Sequence, residues 1–273
     1  ESMSASEGGD PNPLLRMIQT LAPAVAYKES NLVTNKKVWD LYAKDWKPDQ
    51  GWVKKMADNL GTEWQDQDLA VLGDEWSDRR SLQEVLDEWI LPGIPEGGAA
   101  GEVGVGGGRV AARVAARCGE FYCFDISSEM LKRAREAVGA ATEGSATHVS
   151  YHLLEDNRLP DSLESTLDFV YSFDCLPHCD AHTIFKYLKE FRRVLKPGGK
   201  ALVHTSNLTA PGGFARFAKQ REASVQGFCW VSPDIVRMLV REAGLEMVRE
   251  SAVGGDNVYY NRDFLCAVRR PAA

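Results

Sequence analysis

No apolar run in this 273-residue chain reaches bilayer-spanning length before a charge or a glycine interrupts it, so no transmembrane helix is expected. Positive charge is also in short supply: 39 Asp and Glu outnumber 32 Lys and Arg, leaving a net charge of −7. A surface of that sign repels phosphate backbones, which argues against a nucleic-acid partner. Nor is there a disulfide spacing. The six cysteines, at 118, 123, 175, 179, 229 and 266, are scattered through a large chain, so reduced thiols and a cytoplasmic location are expected. The opening Glu1-Ser2-Met3 reads as a cloning remnant, which leaves room for a native targeting peptide upstream. No internal repeat is visible.

With 44% hydrophobic and 26% charged residues the chain has the composition of a globular protein, and its length suits one large domain with an appended segment. Three regions follow from periodicity. Residues 1–30 read as a tail with a short helix near 14–21. Residues 31–95 read as a helical, aromatic-rich cap. Six of the seven tryptophans fall between 39 and 89, and Trp39, Tyr42, Ala43 and Trp46 share one helix face, ended by Pro48. A second helix carries Trp52, Val53, Met56 and Leu60 with Gly61 as its stop, and a third opens on the capping pattern Ser81-Leu82-Gln83-Glu84.

Residues 96–273 alternate strand and helix patterns, the signature of a mostly parallel sheet. Strands are expected at 99–103, 120–124, 148–154, 167–172 and 200–205. Helices are expected after the first strand, at 128–138, 180–195 and 233–243, and two closing strands, 246–252 and 263–269, are expected to pair antiparallel. The expected fold is a Rossmann-like, seven-stranded, mostly parallel sheet with an antiparallel last strand.

Between the first strand and its helix stands Gly101-Glu102-Val103-Gly104-Val105-Gly106-Gly107-Gly108-Arg109. Glycines here admit positive φ and let the backbone approach a ligand. Taken alone, the loop is equally a tight turn, and Gly106-x-Gly108-x-x-Ala111 fits a loose nicotinamide-dinucleotide pattern. Three further segments narrow the choice: Cys123-Phe124-Asp125-Ile126, with an acid closing strand two; Leu167-Asp168-Phe169-Val170-Tyr171-Ser172; and Arg193-Val194-Leu195-Lys196-Pro197-Gly198-Gly199-Lys200. In this order and spacing they resemble the class I S-adenosylmethionine (SAM)-dependent methyltransferases, in particular the type 11-like group acting on small metabolites. The likeness covers residues 99–205.

That resemblance implies SAM as cofactor and assigns candidates to hold it: Glu102, Gly104, Gly106, Gly108, Asp125, Ile126, Met130, Glu155, Asp156, Asn157 and Ser172, with Tyr42 from the cap. Asp125, at a strand's carboxyl end, is placed to accept both ribose hydroxyl hydrogens. Met130 and Ile126 offer apolar surface to a base. Of the acids after strand three, Asp156 is preferred over Glu155 for reading the adenine amine. In-line methyl transfer needs mainly positioning, with a general base only for some acceptors. His178 and His204 are the candidate bases, and a structural role for His178 is equally open. Cys175, His178, Cys179 and His182 do not match common zinc spacings, so no metal is expected. A small-molecule acceptor is expected between the aromatic cap (Trp39, Trp46) and a second wall from Phe173, Phe214, Tyr259, Tyr260 and Arg262, with Pro211-Gly212-Gly213-Phe214 read as a flexible insertion. A monomer or homodimer is expected, and oxygen, nitrogen and sulfur acceptors all remain open. So do a macromolecular acceptor, a nicotinamide oxidoreductase and a catalytically silent SAM-binding partner protein.

Overall fold

The computed structural model describes residues 31–58, 69–220 and 227–272. The short helix expected near 14–21 and the Gly61 stop lie outside them.

Seven strands form one sheet: β1 Ala99–Val103, β2 Glu120–Asp125, β3 His148–Leu153, β4 Leu167–Ser172, β5 Leu195–Ser206, β6 Glu246–Glu250 and β7 Asp263–Arg269. Their order is β3-β2-β1-β4-β5-β7-β6, and β7 is the strand that runs antiparallel to its neighbours β5 and β6. The order reverses between β1 and β4, which opens a crevice at the carboxyl ends of the parallel strands. β5 begins five residues earlier than its hydrophobic run suggests. Leu195 already pairs with Leu167, and the register then shifts past the Pro197-Gly198-Gly199 turn, where Gly198 takes φ +81°.

The helices are α1 Asn31–Asp45, α2 Gly51–Asp58, α3 Arg79–Val85, α4 Ala111–Val114, α5 Ser128–Ala141, α6 Ala181–Val194, α7 Pro211–Lys219, α8 Pro233–Glu242 and α9 Val258–Arg262. Capping starts the two long ones beside the crevice. Ser127 Oγ accepts the Met130 amide at 3.1 Å, and the Asp180 carboxylate accepts that of Thr183 at 2.8 Å. Leu131, Ala134 and Val138 put one stripe of α5 against the sheet; Ile184, Leu188, Phe191 and Val194 do the same for α6 on the other face. No helix among the described residues is long and apolar enough to cross a membrane.

The expected flexible insertion is a helix instead. Pro211 occupies the first turn of α7, where its missing N–H costs nothing. The glycines behind it are there for closeness: a Cβ at Gly213 would overlap the Asn207 and Arg262 carbonyl oxygens.

The aromatic segment packs as a third cluster, with Ala43, Trp46, Val53, Ala57, Leu69 and Leu72 around Met130 of α5. Arg133 ties α1 down by donating to the Ala43 and Trp46 carbonyls at 3.1 Å each, and Asp40 accepts the Ser127 hydroxyl at 2.6 Å.

Candidate active site

Three positive-φ glycines shape the β1 turn: Gly104 (+74°), Gly106 (+54°) and Gly108 (+88°). The amides of Gly104 and Val105 both donate to the Phe124 carbonyl, and that of Gly106 to Asp125 Oδ2 at 2.9 Å, so the loop is clamped onto the end of β2. Gly104 lies so close to Cys175 that any Cβ would overlap its Sγ and Cβ, while Gly107 abuts Leu72 and Gly108 abuts Ala134.

A cavity opens in front of this loop, lined by Gly104, Gly106, Asp125, Ile126, Met130 and Asn157 on the sheet side. Asp174, Cys175, Cys179, Thr183 and Tyr187 close a second side, and Asn31, Leu32, Asn35, Trp39 and Trp76 form the roof. Asp125 Oδ1 accepts the Ser127 amide at 2.8 Å and Oδ2 the Gly106 amide, which leaves a lone pair on each oxygen for a ligand. Burial pushes this carboxyl up to about 6 despite those donors. Ionisation therefore opposes folding: stability held below the unfolded-state value is given up as pH rises through about 6. Hydroxyl donors from a bound ribose would offset that cost. SAM affinity is accordingly expected to weaken about tenfold per pH unit below 6, and Asp125→Asn should flatten the dependence while weakening binding at pH 8. Calorimetric titration from pH 5 to 8 checks this; a pH-independent wild-type affinity would remove Asp125 from the site.

Asn157 Oδ1 is buried in the same cavity with no partner. A base amine fits that lone acceptor, and the nucleoside form fits the set as a whole: a diol acceptor in Asp125, flat apolar walls in Ile126 and Met130, and a glycine loop that admits backbone contact. The preferred Asp156 is misplaced for this role. Its Oδ1 turns back to cap the Arg158 amide at 2.9 Å, and both it and Glu155 are exposed outside the cavity. Glu102 also lies behind the cavity. Its carboxyl is buried against the Tyr171 hydroxyl at 3.0 Å, with the Ala111 amide as a further donor, and burial raises it well above the usual carboxylate range. It joins the loop to α4 rather than meeting a ligand. Gly108 is likewise turned toward α5, and Ser172 Oγ donates to the Val103 carbonyl inside the sheet.

A second cavity, about 310 Å³, adjoins the first and shares Trp39, Trp76 and Asp174 with it. Tyr42, Met56, Glu75, Pro177, His178, Arg216, Phe228 and Arg262 complete its walls. Tyr42 belongs to this chamber and not to the first cavity. Its hydroxyl donates to Glu75 Oε1 at 2.5 Å and accepts from Trp76 Nε1 at 2.9 Å. At the junction Asp174 adopts φ +56°, a strained conformation for a non-glycine residue. Its backbone amide donates to His204 Nδ1 at 3.0 Å, and its Oδ2 accepts the Tyr259 hydroxyl at 2.8 Å. The buried Arg109 guanidinium lies 3.4 Å from the same oxygen and also donates to Ser77 Oγ at 2.6 Å. That network explains an arginine where a dinucleotide loop would place glycine.

His204 is thereby excluded as a base. It is fully buried, spends Nδ1 on the Asp174 amide, and sits with Nε2 3.1 Å from Asp263. Phe173 lies tilted against it and Tyr259 edge-on to it. Trp46 is core, Phe214 is more than half exposed beside Phe217, and Tyr260 accepts from Trp89 Nε1; none of the three lines either chamber. Arg262 does line the second chamber, paired to Asp263. His178 does too, edge-on to Trp39 and Phe228, with Nδ1 3.3 Å from the Gly227 carbonyl. Burial pulls its imidazole down to about 4, so it stays neutral near pH 7 and is a weak base. Its carbonyl holds the roof by accepting from Asn31 and Asn35 at 3.1 and 3.0 Å.

Asn35, Glu75 and Arg216 carry no sequence signal. Asp174 lies in the stretch just past the carboxyl end of β4 where a base is expected, and Trp76 is one of the six tryptophans of the cap.

Residues 101–203 match the family model described as a methyltransferase domain. No curated protein matches the sequence. Among solved structures, the chain resembles magnesium protoporphyrin IX methyltransferase from Synechocystis PCC 6803 with bound SAH (TM-score 0.58, 12% identity), covering 86% of this chain and 99% of that one. It also resembles the N-methyltransferase NodS from Bradyrhizobium japonicum WM9 (0.53, 15%; 71% and 98%). Phosphoethanolamine N-methyltransferase 2 from Haemonchus contortus gives 0.51 at 17% identity, over 71% of this chain and 53% of that one. The acceptors named for two of these proteins differ, and likeness at this level of identity shows the fold and not the acceptor. The segment 101–203 is a methyltransferase domain, and enzymatic activity with S-adenosylmethionine as cofactor goes with that domain.

Proposed function

We propose that the chain transfers a methyl group to a small-molecule acceptor seated in the second chamber. The observation that carries this reading is the shared wall: Trp39, Trp76 and Asp174 line both cavities, so ligands in the two would meet there. In this assignment Asp125 would hold the ribose diol, Asn157 the adenine amine, and Ile126 and Met130 the faces of the base. The bound cofactor supplies a methyl group already activated on a sulfonium.

What remains for the protein is alignment and exclusion of water. Trp39, Tyr42 and Trp76 would form a lid over both ligands. The Tyr42–Glu75 and Asn35–His178 hydrogen bonds would fix it, and His178 would brace the wall as a neutral ring. The Asp174 carboxylate is the ionisable group at the junction, where it can receive a proton from a hydroxyl or ammonium acceptor, or steady a cationic one.

Radiolabelled methyl transfer into cell extracts, split into small-molecule and macromolecular fractions, tests the proposal. Label should appear in small molecules and depend on Trp39. Label confined to protein or nucleic acid would reject it.

A further inference from the structure

The charged groups around the second chamber are not all paired with one another. Asp174 is met by Arg109 and the Tyr259 hydroxyl, and Glu75 by the Tyr42 hydroxyl and the Gly73 amide. Arg262 lies 2.6 Å from Asp263 Oδ2. Arg216 differs: among the described residues no carboxylate lies within ion-pair distance of it, and its side chain makes no hydrogen bond. It lies instead over the Phe228 ring, 4.1 Å from the centroid, and Arg262 lies over the same ring at 5.2 Å. Two guanidinium groups thus converge on one aromatic ring at the chamber wall. Although Arg216 is exposed overall, desolvation at the chamber wall and the like charge of Arg262 both work against its charged form.

Arg216 has a helix C-terminus nearby, since it stands in the last turn of α7. A cation there interacts favourably with the helix dipole, yet that interaction is weak at an exposed end and does not require the side chain to turn onto Phe228. A ligand anion between the two arginines would relieve the repulsion, and the guanidinium fork suits a two-oxygen acceptor.

We propose that the methyl acceptor carries an oxyanion, a carboxylate or a phosphate, held by Arg216 with help from Arg262. The apolar body of the acceptor then lies along Trp39, Trp76 and Phe228, with its reacting atom toward the Asp174 junction. The inference rests on the second chamber being the acceptor site.

The test separates a small-molecule extract by anion exchange at neutral pH and offers each fraction to the enzyme with radiolabelled SAM. Acceptors should be found in the retained, anionic fraction. Arg216→Gln should raise their KM about tenfold or more while leaving SAH affinity unchanged, which also shows that the variant is folded. Prior phosphatase treatment distinguishes the sources: a phosphate ester loses its retention and a carboxylate keeps it. Acceptors found only in the unretained fraction, or a KM indifferent to Arg216→Gln, would overturn the oxyanion and leave the small-molecule reading standing. Label found only in macromolecules would overturn both.

Discussion

Gly104→Ala is expected to weaken SAM binding about a hundredfold or more, the equivalent of roughly 2.7 kcal/mol. Two costs combine. An L residue at φ +74° gives up about 1–2 kcal/mol of backbone preference, and the new methyl would overlap Cys175 Sγ and Cβ. The loop would have to move away from the Cys175 turn, disturbing the amide contact that holds Gly106 against Asp125. Gly106→Ala is the control. Its φ is also positive, but its Cβ would meet nothing nearer than Trp76 at 3.8 Å, so a smaller loss is expected. Cys175→Ala combined with Gly104→Ala should recover only part of the affinity, because the Cβ overlap and the strain remain. Calorimetric titration of the three variants with SAH checks the order; equal losses at Gly104 and Gly106 would mean that close packing against Cys175 does not matter.

The second large effect is expected at Tyr42. Because Tyr42 lines only the second chamber, Tyr42→Ala should lower kcat/KM for the acceptor more than about tenfold while SAH affinity stays within about threefold. Tyr42→Phe keeps the ring and strands Glu75 Oε1, so it should cost about 1–3 kcal/mol of stability with the lesser effect on turnover. A Tyr42→Ala enzyme with normal activity per folded molecule would show that the aromatic stripe is only core.

Much of the sheet and part of the first cavity's lining were legible before the structure. Period-two and helical patterns located the strands, and the glycine loop with Asp125 forms a local motif whose spacing carries its geometry. The failures share a cause. Trp39 and Trp46 fall on one face of an ideal helix, but α1 ends at Asp45, and Trp46 turns into the cluster around Met130 while Trp39 stays at the cavity roof. Asp156 and Asn157 differ by one position in a turn, and a local bond to the Arg158 amide decides which of them faces inward. Glu75, Trp76 and Arg216 come together only through tertiary contacts between segments more than a hundred residues apart, which no local pattern encodes. His204 misled because strand alternation places it toward the cleft end of β5, whereas the Asp174 turn folds over it.

The most direct test of the two-chamber account is calorimetric titration of the wild-type chain with SAH, NAD and NADP, repeated on Asp125→Ala. The account expects SAH to bind, both dinucleotides to give no heat, and Asp125→Ala to lose more than about tenfold in SAH affinity with its fold intact. Tight NAD binding without SAH binding, or an SAH affinity unchanged by Asp125→Ala, would contradict it.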